Sequence, residues 1–362
     1  MHASKRCAHA RKGIGDDFCG FGQNCAPNVH SKEICLEKCP KGCIMKSQRS
    51  IFMSKVVCIG ECLVDMMPSK NGGYIPNAGG APCNVCACVA RLGSDAAYLG
   101  KLGGDSYADF LYDQIKSAGI DTRFVVFDKS LKTALAFVNI DEKGDRKFRF
   151  ERENTADLNL TADDVKDDFE AGDILHFCSL GLMGQSKLAH EKAIALARQS
   201  GALVSFDVNV RADLWDCVDD CVKAIAEFLP RADIVKVSSE ELDLLAQGGS
   251  EDEKAKNLMS NALDCKILIV TKGADGAVCY DRSLAKITQK AYKTHVVNTT
   301  GAGDCFIGLI LYLLSQKTVR LDLTDMSYAL DFASRACAIQ ISRNGSMTAM
   351  PTKAEIAAFK EC

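Results

Sequence analysis

The sequence predicts a three-layer α/β/α fold with a largely parallel central sheet. Three observations carry this expectation. From Lys55 onward, apolar strand-like runs alternate with helix-like stretches, the order of successive βαβ units with helices on both faces of the sheet. No internal repeat or low-complexity linker interrupts the alternation. One stretch, Thr133 to Arg152, departs from it and reads as a β-hairpin.

The elements follow in order. KVVCIGECLVDM reads as a first strand with Asp65 at its end, and a helix covers Asn84 to Leu92. AAYLGKLG is a strand, and Tyr107 to Ala118 a helix. TALAFVNI and KFRFER flank a DEKGD turn, which makes the hairpin. DILHFCSL, LVSFDVNV, DIVKVS, KILIVTKG and GAVCY are further strands. Between them lie helices at Lys187 to Ser200, Val218 to Leu229 and Glu240 to Ala246. Near the end, Phe306, Ile310, Leu313 and Leu314 recur at helical spacing, and Thr324 to Ile341 forms the last long helix. Sheets of this kind bind ligands beyond the carboxyl ends of their strands.

Composition narrows the function. The 362 residues are 47% hydrophobic and 25% charged, an ordinary globular mixture, and the formal net charge of -3 leaves no global basic field for nucleic acid. The longest apolar run, Cys305 to Leu314, falls short of the roughly 18–20 residues that span a bilayer. The start, MHASKRCAHARKG, lacks the apolar core of a secretory signal. Of 19 cysteines, 13 lie between Cys58 and Cys362, mostly inside apolar runs. They read as small buried hydrophobes in a reducing, cytoplasmic compartment.

The other six are Cys7, Cys19, Cys25, Cys35, Cys39 and Cys43, in a segment with nine Lys or Arg and four acids. A zinc or iron–sulfur module, a disulfide knot, and a disordered extension ahead of a start at Met53 are the three readings. Cys35, Cys39 and Cys43 lack the paired C-x2-C spacing of a metal site. The expectation is therefore a Cys-rich extension over 1–52 and one folded domain over 53–362.

The segment NTTGAGDCFIGLILYLL, from Asn298, is a bare loop opening a helix. Gly301, Ala302 and Gly303 leave backbone N–H groups unshielded at the positive end of the helix dipole, which suits an anion. Asp304 then stands beside that anion, where a carboxylate is poor for binding but right for taking a proton from an attacking hydroxyl. The competing reading is an ordinary helix-start aspartate next to flexible glycines, and this segment alone leaves both open. Other motifs fail. No G-x-x-x-x-G-K-[ST] occurs, no G-x-G-x-x-G follows a strand, and no H-E-x-x-H exists. Cys83 and Cys86 match C-x-x-C without a second pair, inside an apolar helix, and read as core.

Two longer stretches make the pattern specific. NTTGAGDCFIGLI resembles the C-terminal signature of the ribokinase-like (PfkB) carbohydrate kinases, and NAGGAPCNVCACVARLGSDAAYLGKLGGDSYADFL resembles their N-terminal signature. DVNVRADLW, VKVSSEEL and VTKGADGA lie between them in the family's order. The resemblance covers about Lys55 to Pro351. It implies a ribokinase-like fold with a small β-sheet lid near 65–80 and 132–152, closing over a sugar to exclude water. It also implies a homodimer, with no nucleic-acid or membrane partner.

Roles follow from the resemblance position by position. Asp304 would be the base, with Gly301, Ala302 and Gly303 cradling the transferring phosphoryl group. Asp65, Gly79, Gly80 and Asn84 would bind the sugar, and Arg152 would be presented to it. Asp207, Asn209 and Arg211 would order sugar and phosphate. Thr271, Gly273, Gly276 and Ser334 would border the nucleotide ATP, and Glu241 would organise water around Mg²⁺, with Ser238 in place of the family's asparagine. Lys101 and Asp105 are assigned structural roles. Asn298 replaces the usual aspartate of the second signature, which removes a charge from the family's potassium site and leaves potassium activation in question.

GECLVDM, GGAPCNV, ERENTAD and DVNVRADLW are more similar to fructokinases than to ribokinases, which implies fructose phosphorylated at its 6-hydroxyl. The alternatives are 2-keto-3-deoxygluconate, ribose or a nucleoside as acceptor. A catalytically silent sugar-binding regulator and a dehydrogenase are the readings of other classes.

Overall fold

The first apolar run forms two strands in two different sheets. In the computed structural model, which describes residues 54–361 except 70 and 141–145, β1 (Val56–Ile59) ends at Gly60 and β2 (Leu63–Pro68) begins three residues later. Gly60 has φ of 141°, a left-handed geometry that costs glycine little. Asp65 therefore sits inside β2, where its register partner is Asn77, and not at the end of the first strand as the sequence suggested. The readings made for residues 1–52 and for the DEKGD turn lie outside the described residues.

The chain continues through β3 (Tyr74–Gly79), α1 (Ala81–Arg91), β4 (Ala96–Leu102), α2 (Ser106–Ser117), β5 (Val125–Phe127), β6 (Leu135–Ile140) and β7 (Arg146–Glu151). Next come β8 (Ile174–Cys178), α3 (Ser186–Ser200), β9 (Leu203–Asp207), α4 (Val218–Phe228), β10 (Ile234–Ser238), α5 (Ser239–Leu245) and α6 (Glu251–Asn261). The last third is β11 (Ile267–Thr271), β12 (Ala277–Asp281), β13 (Lys286–Gln289), α7 (Ala302–Ser315), α8 (Leu323–Ile341) and α9 (Lys353–Ala358). Helix α6 is absent from the sequence reading because its surface is mostly charged. The Ser250–Glu253 capping box that starts it was the available signal.

The nine-stranded sheet has the order β13-β12-β11-β10-β9-β8-β1-β4-β5. Its strands are parallel except where β12 pairs with β11 and β13. Alternate residues feed two cores. Val56, Cys58, Tyr98 and Ile267 face the layer of α1, α2, α7 and α8. Val57, Leu99, Phe177 and Val235 face the layer of α3, α4, α5 and α6. Strands covered on both sides read as continuous apolar runs, which is why they were visible in the sequence. The cysteines follow the same logic: Cys58, Cys83, Cys86, Cys88 and Cys305 are fully buried in the first core.

The second sheet, β3-β2-β6-β7, is formed by the stretches near 65–80 and 132–152 where a lid was expected. Asp105 ties it to the main body. It caps α2 through the Ala108 N–H at 3.0 Å and accepts from the Thr133 N–H at 2.8 Å just before β6. Lys101 pairs with Asp164 at 2.8 Å. Both residues are structural.

Candidate active site

Three connected hollows lie where the carboxyl ends of the sheet strands meet α7. The first, of about 460 Å³, is bounded by Asp207, Asn209, Arg211 and Lys236 on one side and by Thr299 to Asp304 on the other. Thr299, Ala302 and Gly303 also border a second hollow of about 440 Å³. Asn209, Arg211, Gly301 and Asp304 also border a third, smaller one beneath the lid. A single channel thus runs from an apolar chamber, past the helix start, to a polar pocket.

The middle of the channel is built by α7. Gly301 caps the helix with φ of 83°, and a Cβ there would stand 3.3 Å from Ser346 Cβ. The Ala302 N–H bonds Thr299 O at 3.1 Å, so the next amides, at Gly303 and Asp304, are the ones free of an intrahelical partner by helix geometry. A Cβ on Gly303 would lie 3.2 Å from Lys236 Nζ. Gln340 Nε2 bonds Thr300 O at 2.6 Å, and Asn298 Oδ1 accepts from the Thr300 N–H at 2.9 Å, so the loop is held from both sides.

Asp304 is 8% exposed and accepts a 2.8 Å hydrogen bond from Asn84 Nδ2. Burial lifts its carboxyl to about 6, with Asp207 adding to the rise and Asn84, Arg211 and Lys236 opposing it. Asn84 Oδ1 is buried without a partner. Asp65, across the polar pocket, is also lifted to about 6, first by burial and then by Asp304. Gly79 packs against the Asp65 carboxyl, so any side chain there would strike it. Gly80, with φ of 105°, caps α1, and a Cβ would meet Glu61 O at 2.5 Å.

Two functional candidates escaped the sequence reading. Lys236 lies inside β10, within a run that read only as a strand. Its ammonium is buried and contacts both Asp207 oxygens at 2.8 Å. Burial works against the charge, but Asp207, Glu241 and Asp304 together keep it protonated, above the usual lysine range. Glu61 is 2% exposed and borders the polar pocket. A charge inside an apolar run was the signal available for each.

The remaining sequence candidates fall as follows. Asn209, with φ of 41°, and Arg211 both border the first hollow and the polar pocket. Asp207 reaches the channel chiefly as the counter-ion of Lys236. Thr271, Gly273, Gly276 and Ser334 all border the apolar chamber, together with Val296, Phe306 and Ile341. Gly276, at φ of 96°, faces Gln289 O so closely that only glycine fits.

Glu241 closes a capping box with Ser238: its Oε2 accepts from the Ser238 N–H at 2.7 Å, and Oε1 from the Val210 N–H at 2.6 Å. Arg152 does not border the pocket. Asp157 accepts from its Nε at 2.6 Å and Leu180 O from its Nη2 at 3.2 Å, and Phe150, two residues earlier in β7, lines the pocket in its place. Among the described residues no group of three His, Cys, Asp or Glu side chains is arranged to hold a metal ion.

The profile of the pfkB family carbohydrate kinases matches residues 53–353. The chain belongs to that family. Fructokinase-1 of Zea mays is 35% identical over 312 residues, covering 83% of this chain and 96% of the relative. The pfkB-family fold is equally clear in solved structures. The fructokinase of Vibrio cholerae O395 in its fructose, ADP and calcium ion bound form superposes with a TM-score of 0.79 at 32% identity, over 85% of this chain and 99% of that one. Aminoimidazole riboside kinase of Salmonella enterica, complexed with aminoimidazole riboside and an ATP analog, has a TM-score of 0.75 at 31% identity, over 84% and 99%.

Proposed function

We propose that this pfkB-family protein is an ATP-dependent fructokinase that transfers the γ-phosphoryl group to the 6-hydroxyl of fructose, with Asp304 as the base. The observation that carries the reading is the channel itself. Asp304 stands between the polar pocket, where a sugar fits, and the bare helix start, where phosphate fits. The fructokinase relatives direct the choice of sugar.

Each part of the channel then has a task. The apolar chamber around Ser334 and Ile341 takes the adenine, and the Thr271–Gly276 loop flanks the phosphates. Asp65 and the unpartnered Asn84 Oδ1 accept hydrogen bonds from sugar hydroxyls. The Asn84 amide holds Asp304 on line with the attacking hydroxyl. The Gly303 and Asp304 amides, Lys236 and Arg211 face the transferring group and oppose the charge that spreads over its oxygens. Asp207 is a positioning residue that fixes the Lys236 ammonium.

The donor set fits Mg²⁺ carried on the nucleotide phosphates and met through water, the usual manner of that ion, because no protein cage is present among the described residues. Glu241, whose oxygens are anchored by backbone N–H groups, would orient such a water. When bound, the ion supplies charge neutralisation at the phosphates.

The kinase unit in this reading is 53–362, with 1–52 dispensable. It works in the cytoplasm, where the described cysteines stay free thiols. It dimerises through the lid, whose β3 leaves Tyr74 and Ile75 exposed.

The test is a coupled ADP assay on the full chain and on residues 53–362, with fructose, ribose, 2-keto-3-deoxygluconate and aminoimidazole riboside. Fructose should give the highest kcat/KM in both. Preference for a riboside would overturn the substrate, and turnover of none would overturn the enzyme.

A further inference from the structure

Glu61 is the most deeply buried acid in the polar pocket and has no part in the chemistry above. It lies in the turn between β1 and β2, where the chain leaves the main sheet for the lid. Oε1 accepts from the Ala81 N–H at 3.1 Å, at the first residue of α1. Oε2 is buried and has no partner. A helix cap needs one carboxylate oxygen; the second is left desolvated, a cost that a ligand hydroxyl in the pocket would remove.

The position in the pocket is informative. The charged groups acting on Glu61 are Arg152 and Asp157, whereas those acting on Asp304 are Asp207, Arg211 and Lys236. Glu61 bonds the Ala81 N–H and Asp304 bonds the Asn84 amide, so the two carboxyls meet the pocket they both border at points about one turn apart along α1. Burial lifts Glu61 to about 7, with Arg152 opposing the rise, so near neutrality Oε2 can serve either as acceptor or, protonated, as donor. A hydroxyl complements both forms because it donates and accepts.

We infer that Glu61 Oε2 hydrogen-bonds a hydroxyl at the end of the sugar remote from the phosphoryl acceptor, and so selects the sugar at a point away from the reaction. For fructose, which rests on the substrate proposed above, that end carries the hydroxyls of the first and second carbons. A site built to bond a hydroxyl rejects a sugar lacking it, because its own buried oxygen is then left unpaired.

The experiment measures kcat/KM for D-fructose, 1-deoxy-D-fructose and 2,5-anhydro-D-mannitol, which between them remove those two hydroxyls. Glu61→Ala should lower kcat/KM for fructose about 10–100-fold, the usual range for a lost hydrogen bond to a charged or chargeable group. The loss should fall mainly on KM for the sugar, leave KM for ATP alone, and vanish on the analogue that lacks the contacted hydroxyl. Glu61→Gln keeps the volume and an acceptor for the Ala81 N–H, so it should melt with the wild type and lose less on fructose. Equal losses on all three sugars would mean that Glu61 only holds the start of α1, and would overturn the inference. If Glu61→Ala does not fold, Glu61→Gln carries the same comparison: a selective loss supports the contact, and an equal loss or none overturns it. A wild-type protein that ignores fructose would sink the substrate reading instead. Glu61 would then stand or fall on whether its variants discriminate among deoxy forms of the sugar that is phosphorylated.

Discussion

Asn84 Nδ2 donates to Asp304 Oδ2 at 2.8 Å, joining the first turns of α1 and α7 across 220 residues of chain. The bond fixes the Asp304 carboxyl where the polar pocket meets the hollow at the start of α7. It also leaves the Asn84 carbonyl oxygen facing the pocket, unpaired.

Asp304→Asn keeps the size of the side chain and a hydrogen-bonding group opposite Asn84, but removes the proposed base. General-base loss typically costs about 10²–10⁴ in rate. The expected result is a collapse of kcat with little change in KM for fructose or ATP and an intact thermal transition. If Asp304 only capped its helix, asparagine would cost little, because the two residues cap about equally well. A variant keeping more than about a tenth of wild-type kcat, with chemistry rate-limiting, would remove Asp304 from the role of base.

The raised carboxyls give two opposite pH effects. Asp304 must be ionised to accept a proton, so kcat/KM should fall as pH drops below about 6. Stability should move the other way. Asp304 and Asp65 rise from 3.8 to about 6 and Glu61 from 4.5 to about 7, so the folded state holds more protons than the unfolded chain in between. Their contribution to stability is present in full below about 4 and is lost as pH rises through about 7. Thermal melts of the ligand-free protein, with Asp304→Asn alongside, check this. The variant should gain Tm over wild type near pH 8 and gain none near pH 4, and an equal gain at both would contradict the assignment.

Lys236 and Asp207 separate stability from catalysis. Lys236→Met strands a buried Asp207 carboxylate, a change that typically costs about 3–5 kcal/mol, so its Tm should drop sharply. Adding Asp207→Asn removes the unpaired charge and should restore most of the Tm. The double variant should still be slow, by about 10²–10³ in kcat, because the cation facing the phosphoryl group is gone. Recovery of activity together with Tm would reduce Lys236 to a structural role.

Potassium should activate the enzyme weakly. Asn298 carries no charge, and its amide oxygen already accepts the Thr300 N–H. Rates measured in potassium and in a bulky organic cation, at equal ionic strength, should agree closely. Strong selective activation by potassium would mean that backbone oxygens of this loop suffice without the acid.

Local pattern determined much of this protein. Buried parallel strands are continuous apolar runs, so β4, β8, β9, β10 and β11 were legible one by one. The α7 loop was legible because glycine and alanine beside a lone acid are a local statement about exposed amides. The two signatures singled out Asn84 and Asp304, and the resemblance around them singled out Asp65, Asp207 and Arg211. Tertiary structure alone decided what those residues touch. One apolar run was divided between two sheets at Gly60, because the break depends on where the lid must leave the body. Arg152 was drawn to Asp157 and away from the pocket, and Asp207 was tied to Lys236. Glu61 and Lys236 were hidden inside strand-like runs, where a charge reads as an irregularity until the fold reveals the cavity beside it. Sequence spacing encodes local geometry, whereas burial and pairing across 29 or 220 residues depend on how the layers close, and that closure sets the charge state of each acid in the site.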